Sequence, residues 1–249
     1  MDYYSEANGL IVKVEGPVMW MISDRPHLKN GGDWRSTEES AKAWERAAND
    51  PDIRVIVLSG KGEYFNTGGR VNADDPEERR KYAEAIAKSL EIKKKVNLPI
   101  IAAVNGHCLK GGMGILDEAD LAVAVDTAMF GYPEVRMGGV PMVVMAQNMG
   151  LPKKLLLQAC YSSQYFDAQT ALRIGLVNEV VDKEHFEETV NKYIHMIIDN
   201  PRMLIQMTHE AYFEMAKLAT TEERVAFAQK MLAERVLPQM ANEKQEYNV

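Results

Sequence analysis

The chain has 249 residues, enough to bury a full core without disulfide or metal staples. Its 36 acidic residues outnumber the 29 basic ones, and no long basic run occurs, which argues against an electrostatic nucleic-acid platform. The two distant cysteines, the lack of a charged-then-apolar leader and the absence of an apolar run of ~18 residues lead to the expectation of a soluble cytoplasmic protein without a membrane span.

In chain order, Leu10 to Val14 and Val18 to Ile22 read as two strands joined across Gly16-Pro17. A polar loop, SDRPHLKNGGDW, follows. Ser36 or Thr37 is then expected to cap a helix with Ala41, Trp44, Ala47 and Ala48 at helical spacing, ended by Asp50-Pro51. Ile53 to Leu58 is a strand of the kind buried on both faces, followed by the glycine-rich SGKGEYFNTGGR. A charged amphipathic helix covers about Pro76 to Val96. A second apolar strand, Ile100 to Val104, runs into NGHCLKGGMGILDEAD, where Gly111-Gly112 opens a short helix. Leu121 to Val125 is the next strand. Short helices are read at Pro141 to Met149, Pro152 to Cys160 and Ala168 to Ile174, and a last strand at Val177 to Val181. Three longer helices, Glu184 to Asp199, Arg202 to Leu218 and Thr221 to Val236, complete the chain. Alternation up to about residue 180 predicts an α/β core with crossover connections. The terminal helices would pack on a partner subunit or on their own core.

Three features fall at the carboxyl ends of strands, where α/β folds collect ligands: Thr67-Gly68-Gly69, Lys110-Gly111-Gly112 and Glu134. Two glycine loops meeting there can aim two backbone amides at one oxygen, and a nearby carboxylate can act as general base. An apolar pocket would raise that acid's pKa and a helix N-terminus would lower it.

The motifs are specific. IRVIVLSGKGEYFNTGG, PIIAAVNGHCLKGGMGILDEADLAVA, MFGYPEVRMGGVP and DAQTALRIGLVNEVV together resemble, in order and spacing over about residues 10 to 182, the crotonase superfamily of enoyl-CoA hydratases and isomerases. The resemblance implies a crotonase-like ββα spiral over residues 1–182 and a C-terminal helical region, 183–249, that mediates homotrimers or hexamers. It implies an acyl-CoA substrate, with CoA entering as the thioester and no separate cofactor or metal. Carried over by position, the oxyanion amides fall on Gly69 and Gly111 and a catalytic acid on Glu134. The CoA and acyl moieties would be bordered by Arg25, His27, Gly68, Arg70, Val71 and Asn72.

Departures from the family pattern carry the functional information. A hydratase of this family has a second glutamate three residues beyond the second oxyanion glycine, where this chain has Gly114. One carboxylate can remove a proton from one carbon and return it to another, so the site leans towards an enoyl-CoA isomerase over a hydratase. The dienoyl-CoA isomerase pattern is disfavoured, since its acidic positions fall on Gly114 and Met142. Glu118, one helical turn on, or Asp117 would have to compensate for Gly114, but both read more simply as a helix end. Arg70 replaces the family's aspartate. It either makes a surface ion pair or grips a phosphate or substrate carboxylate, which would turn the chemistry towards decarboxylation or C–C hydrolysis of a β-dicarbonyl. The pattern also admits a hydratase with an atypical site, or a degenerate non-enzymatic scaffold. Cys108 reads as a small buried thiol, His107 as structural, His27 and Trp34 as loop residues, and Met137, Met142 and Met145 as packing near the acyl pocket.

Overall fold

A computed structural model describes residues 3–72 and 74–239. The chain opens with an antiparallel meander, Tyr3–Ala7 (β1), Leu10–Glu15 (β2) and Val18–Ser23 (β3). β1 escapes a sequence reading because its five residues bury little and carry no apolar alternation. Trp34–Asn49 (α1) comes next. Its cap is Asp33 rather than the expected Ser36 or Thr37: the Asp33 carboxylate accepts the Ser36 amide at 3.0 Å, and Ser36 Oγ accepts the Asp33 amide at 2.9 Å. Ser36 is thus the reciprocal third-position partner of a capping box, and the helix starts three or four residues earlier than its cap-like sequence implies.

Two strand-strand-helix units follow. The first is Val55–Gly60 (β4), Tyr64–Asn66 (β5) and Pro76–Lys93 (α2). The second is Ile100–Val104 (β6), His107–Leu109 (β7) and Gly111–Asp117 (α3). Leu121–Val125 (β8) and Met129–Gly131 (β9) begin a third, which continues into a 3-10 turn at Val135–Met137 and the short helix Met142–Gln147 (α4). Lys153–Ser162 (α5), Phe166–Asp167 (β10), Ala168–Arg173 (α6) and Glu179–Val181 (β11) lead to three helices: Phe186–Ile198 (α7), Arg202–Ala216 (α8) and Thr221–Met231 (α9). α9 runs into a π-helical turn at Leu232–Val236.

The strands sort into two sheets. The larger has the order β1-β2-β3-β4-β6-β8-β11, parallel from β3 onward; the smaller has the order β10-β9-β7-β5, with β5, β7 and β9 parallel. In each unit one strand belongs to the large sheet and the next to the small one. The continuous apolar runs follow from this, because the central large-sheet strands are covered on both faces. Ile56, Leu58, Ala102 and Val104 face the core shared with Trp44, Phe65 and Met113. Val55, Val57, Ile101, Ala103 and Val123 face Val190, Ile194 and Ile197 of α7. The first of the three terminal helices therefore packs on the chain's own sheet. No residue of α8 is buried, and Tyr212, Phe213, Val225 and Leu232 are exposed. Among the described residues no helix is long and apolar enough to cross a membrane.

Candidate active site

The glycine loops and Glu134 do not end the large-sheet strands, as the sequence suggested. They follow β5, β7 and β9, three neighbouring parallel strands of the small sheet, so their carboxyl ends lie side by side. The Lys110 amide donates to the Gly131 carbonyl at 3.0 Å and ties the second loop to the strand that leads to Glu134.

The first two loops touch backbone to backbone. Gly68 has φ +73°, and a Cβ there would run into the Cα, N and C atoms of Gly111. Only glycine meets both demands without strain. Asn66 fixes the loop by accepting the Gly68 amide on Oδ1 at 2.6 Å. Gly32 pairs on the other side, donating to the Gly68 carbonyl at 2.9 Å and accepting the Arg70 amide at 2.7 Å. That pattern uses the groups flanking Gly69 and leaves the Gly69 N–H without a partner among the described residues; the Gly111 N–H has none either. Both glycines line one cavity of about 500 Å³, together with Gly68. The Tyr82 hydroxyl of α2 packs against Gly69; burial, and then the charge of Asp33, push its pKa up and keep it protonated.

Three residues beyond Gly111, the absence of a side chain at Gly114 is filled from elsewhere. A Cβ at Gly114 would collide with the carboxamide of Gln147, the last residue of α4. Gln147 Nε2 donates to Glu118 Oε1 at 3.4 Å, and Glu118 Oε2 pairs with Lys93 Nζ at 2.6 Å. Gln147, Glu118 and Lys93 all line the cavity, whereas Asp117 does not. A neutral amide thus occupies the space of a side chain at 114, and Glu118 enters the cavity wall already neutralised by a lysine.

Glu134 begins the 3-10 turn after β9, and its own carbonyl accepts the Gly139 amide at 2.8 Å. The side chain is half-buried, and Oε2 is buried with no hydrogen-bond partner among the described residues. Burial pushes its pKa up, against smaller lowering contributions from its own backbone and from Lys110. Glu134 does not line the cavity that holds Gly69 and Gly111; it follows the strand tied to the Lys110 loop and feels the Lys110 charge.

Arg25, Arg70, Val71 and Asn72 meet in a second recess of about 350 Å³, which Arg25 shares with the first cavity. Arg25 is held by Asp33 at 2.9 Å, so one carboxylate both caps α1 and aims a guanidinium at the recess. Burial alone would raise the Asp33 pKa; Arg25 and the Ser36 amide outweigh it and hold it below the ordinary value. His27 is exposed and outside both cavities. Arg70 is exposed and opens on the second recess, not on the first. His107 Nδ1 accepts the Met129 amide at 3.2 Å, a structural bond between the loops. Cys108 is wholly buried, and burial raises its thiol far above the usual range. Met137 and Met142 are exposed, and Met145 packs against the core. Sequence reasoning missed Tyr82 and Gln147. For Tyr82 the available signal was its place on the apolar stripe of α2; Gln147 reaches the site only through tertiary packing, and nothing in its surroundings in sequence announces it.

A sequence model described as enoyl-CoA hydratase/isomerase matches residues 14–244. The chain is 30% identical over 205 residues to the (E)-benzylidenesuccinyl-CoA hydratase of Thauera aromatica, covering 80% of each protein. It is likewise 30% identical over 219 residues to the short-chain-enoyl-CoA hydratase of Clostridium acetobutylicum, covering 83% of this chain and 81% of the relative. Among solved structures, an enoyl-CoA hydratase subunit I from Geobacillus kaustophilus HTA426 superposes with a TM-score of 0.83 at 28% identity, over 97% of this chain and 93% of the other.

Proposed function

The chain belongs to the enoyl-CoA hydratase/isomerase family, the crotonase superfamily, and on that premise we propose that it moves the double bond of an enoyl-CoA with Glu134 as its one proton carrier. What supports this reading is the state of the carboxylates. Glu134 has a buried oxygen without a partner among the described residues and a raised pKa, the condition of a group kept ready to exchange a proton. The other acid near the paired loops, Glu118, is bound to Lys93, and a carboxamide fills the space over Gly114. In the proposed cycle the thioester oxygen lies between the Gly69 and Gly111 amides. Glu134 takes a proton from the α-carbon of a 3-enoyl thioester, the electron pair moves onto the oxygen as a dienolate, and the same carboxyl returns the proton at the γ-carbon. A developing oxyanion held by preorganised amides is worth roughly 3–4 kcal/mol per donor. In this reading Arg25, Arg70, Val71 and Asn72, which line one recess, border the CoA portion, and a homotrimer would cover the exposed Tyr212, Phe213, Val225 and Leu232 of the C-terminal helices.

Hydration is the second reading. The relatives are named hydratases, and Glu118 and Gln147 stand in the cavity wall where a water would need orienting. Decarboxylation or C–C hydrolysis loses its support, because Arg70 faces the other recess. Product analysis separates the first two. Incubating the protein with a 3-enoyl-CoA is expected to give the conjugated 2-enoyl-CoA without further addition of water. Conversion of a 2-enoyl-CoA to a 3-hydroxyacyl-CoA, with no turnover of the 3-enoyl isomer, would replace isomerisation with hydration.

A further inference from the structure

Most hydroxyls in the wall of the main cavity are spoken for. Ser40 donates to the Ser36 carbonyl at 3.0 Å, Ser59 to the Ala103 carbonyl at 2.9 Å, and Thr37 to the Asp33 carbonyl at 2.9 Å. Ser89 is the exception that matters. It is only 9% exposed, lines the cavity, and its hydroxyl has no partner among the described residues. A serine in mid-helix can bond back to the carbonyl one turn earlier; this one makes no such bond among the described residues and lines the cavity.

Its position along the cavity follows from helix geometry. Tyr82, Ser89 and Lys93 share one face of α2, and Tyr82 touches Gly69. Seven residues at 1.5 Å rise put Ser89 about 10 Å beyond Tyr82. From Gly111 to Glu118 the second helix spans the same seven residues, again about 10 Å, and the two helices are joined at that far end by the Lys93–Glu118 pair at 2.6 Å. Lys93 lies over the buried Trp44 ring, 5.1 Å from its centroid. The far end therefore offers an aromatic face, a free hydroxyl and an ion pair of zero net charge. A carboxylate there would meet Glu118, and an ammonium would meet Lys93. A neutral group that both donates and accepts suits all three.

We propose that this cavity selects acyl-CoA substrates whose acyl group carries a hydroxyl at its far end, about 10 Å from the thioester carbonyl, with Ser89 as the specificity-determining residue. The inference rests on the reading of the site as an acyl-CoA site, and not on which reaction occurs there. A plain hydrocarbon chain would leave the Ser89 hydroxyl without a partner, which is how buried polar groups reject an analogue lacking a hydroxyl.

The test is equilibrium binding of octanoyl-CoA and ω-hydroxyoctanoyl-CoA to the wild-type protein and Ser89→Ala, with phenylpropanoyl-CoA and its para-hydroxy counterpart as a second pair. Wild type is expected to favour the hydroxylated member of at least one pair by roughly three- to tenfold, the range of one neutral hydrogen bond, and Ser89→Ala to lose that preference. Which pair responds tells whether the hydroxyl sits on a chain or on a ring. Equal binding within both pairs overturns the proposal, as does a preference that survives Ser89→Ala. Because saturated thioesters are not turned over, a hydroxyl preference without isomerisation of 3-enoyl-CoA would sink the isomerase reading alone. Equal binding with isomerisation intact would sink this proposal alone, and failure of every thioester to bind would overturn both.

Discussion

Gly68→Ala is a demanding probe of the paired loops, because its cost can be worked from two separate features. At φ +73° an alanine is held in the left-handed region, which costs about 1–2 kcal/mol. The new methyl would also lie 2.6 Å from the Gly111 nitrogen and 2.9 Å from its carbonyl carbon, so the loops must part. A misplacement on the order of 1 Å in a catalytic constellation costs about 10²-fold in rate. The strain alone lowers Tm by about 2–8 °C in a chain of this size. Turnover is followed by the absorbance of the conjugated thioester, and unfolding by circular dichroism. Gly150→Ala serves as control, since nothing lies within 4 Å of a Cβ there. The expected result is a loss of kcat/KM of about a hundredfold beside a modest loss of Tm, with the control unchanged. If Gly68→Ala keeps kcat/KM within a few-fold of wild type while Tm falls, the contact between the loops has no part in positioning the two amides.

Further outcomes are expected at three residues, Glu134, Asp33 and Arg70. Because burial raises the Glu134 pKa and its ionised form is the base, kcat/KM should climb with pH through a midpoint above the ordinary glutamate value. The same shift means that the folded chain holds this proton to higher pH than the unfolded one. Stability is therefore lost as pH rises through that window, and Glu134→Gln should raise Tm at neutral pH in a thermal melt. Asp33→Ala removes a capping box and the anchor of Arg25, and should cost about 1–2 kcal/mol in chemical denaturation. Asp33 is shifted the other way, so its contribution is present above the unfolded carboxylate pKa and disappears as pH falls through the lower folded value. Arg70→Ala, which alters only the second recess, should raise KM for an acyl-CoA several-fold and leave kcat unchanged in steady-state kinetics.

Strands such as IIAAV and VIVL were legible because both faces are covered and every position is apolar. The small sheet was not. Its strands Tyr64–Asn66, His107–Leu109 and Met129–Gly131 have three residues each, too short for any period, and sit among glycines that read as loops. Missing them placed the glycine loops and Glu134 after the wrong strand in each unit, although the strands they do follow are neighbours too. Gly68, Gly69 and Gly111 were visible because close backbone approach leaves a residue-type signature. The terminal helices divide for a related reason: α7 repeats apolar residues at helical spacing and buries them, while α8 carries aromatics, Tyr212 and Phe213, that the described residues leave exposed. Gln147 over Gly114 and the free hydroxyl of Ser89 depend on which helices meet, and a single strand of sequence holds no such record.

The central claim is that one carboxylate carries the proton. The direct measurement is conversion of a 3-enoyl-CoA by Glu134→Gln, beside the affinity of the same variant for a saturated acyl-CoA. The amide keeps the size of the side chain and removes its basicity, so turnover should fall by about 10²–10⁴-fold while the acyl-CoA still binds within a few-fold of wild type. Full turnover in Glu134→Gln would contradict the account outright.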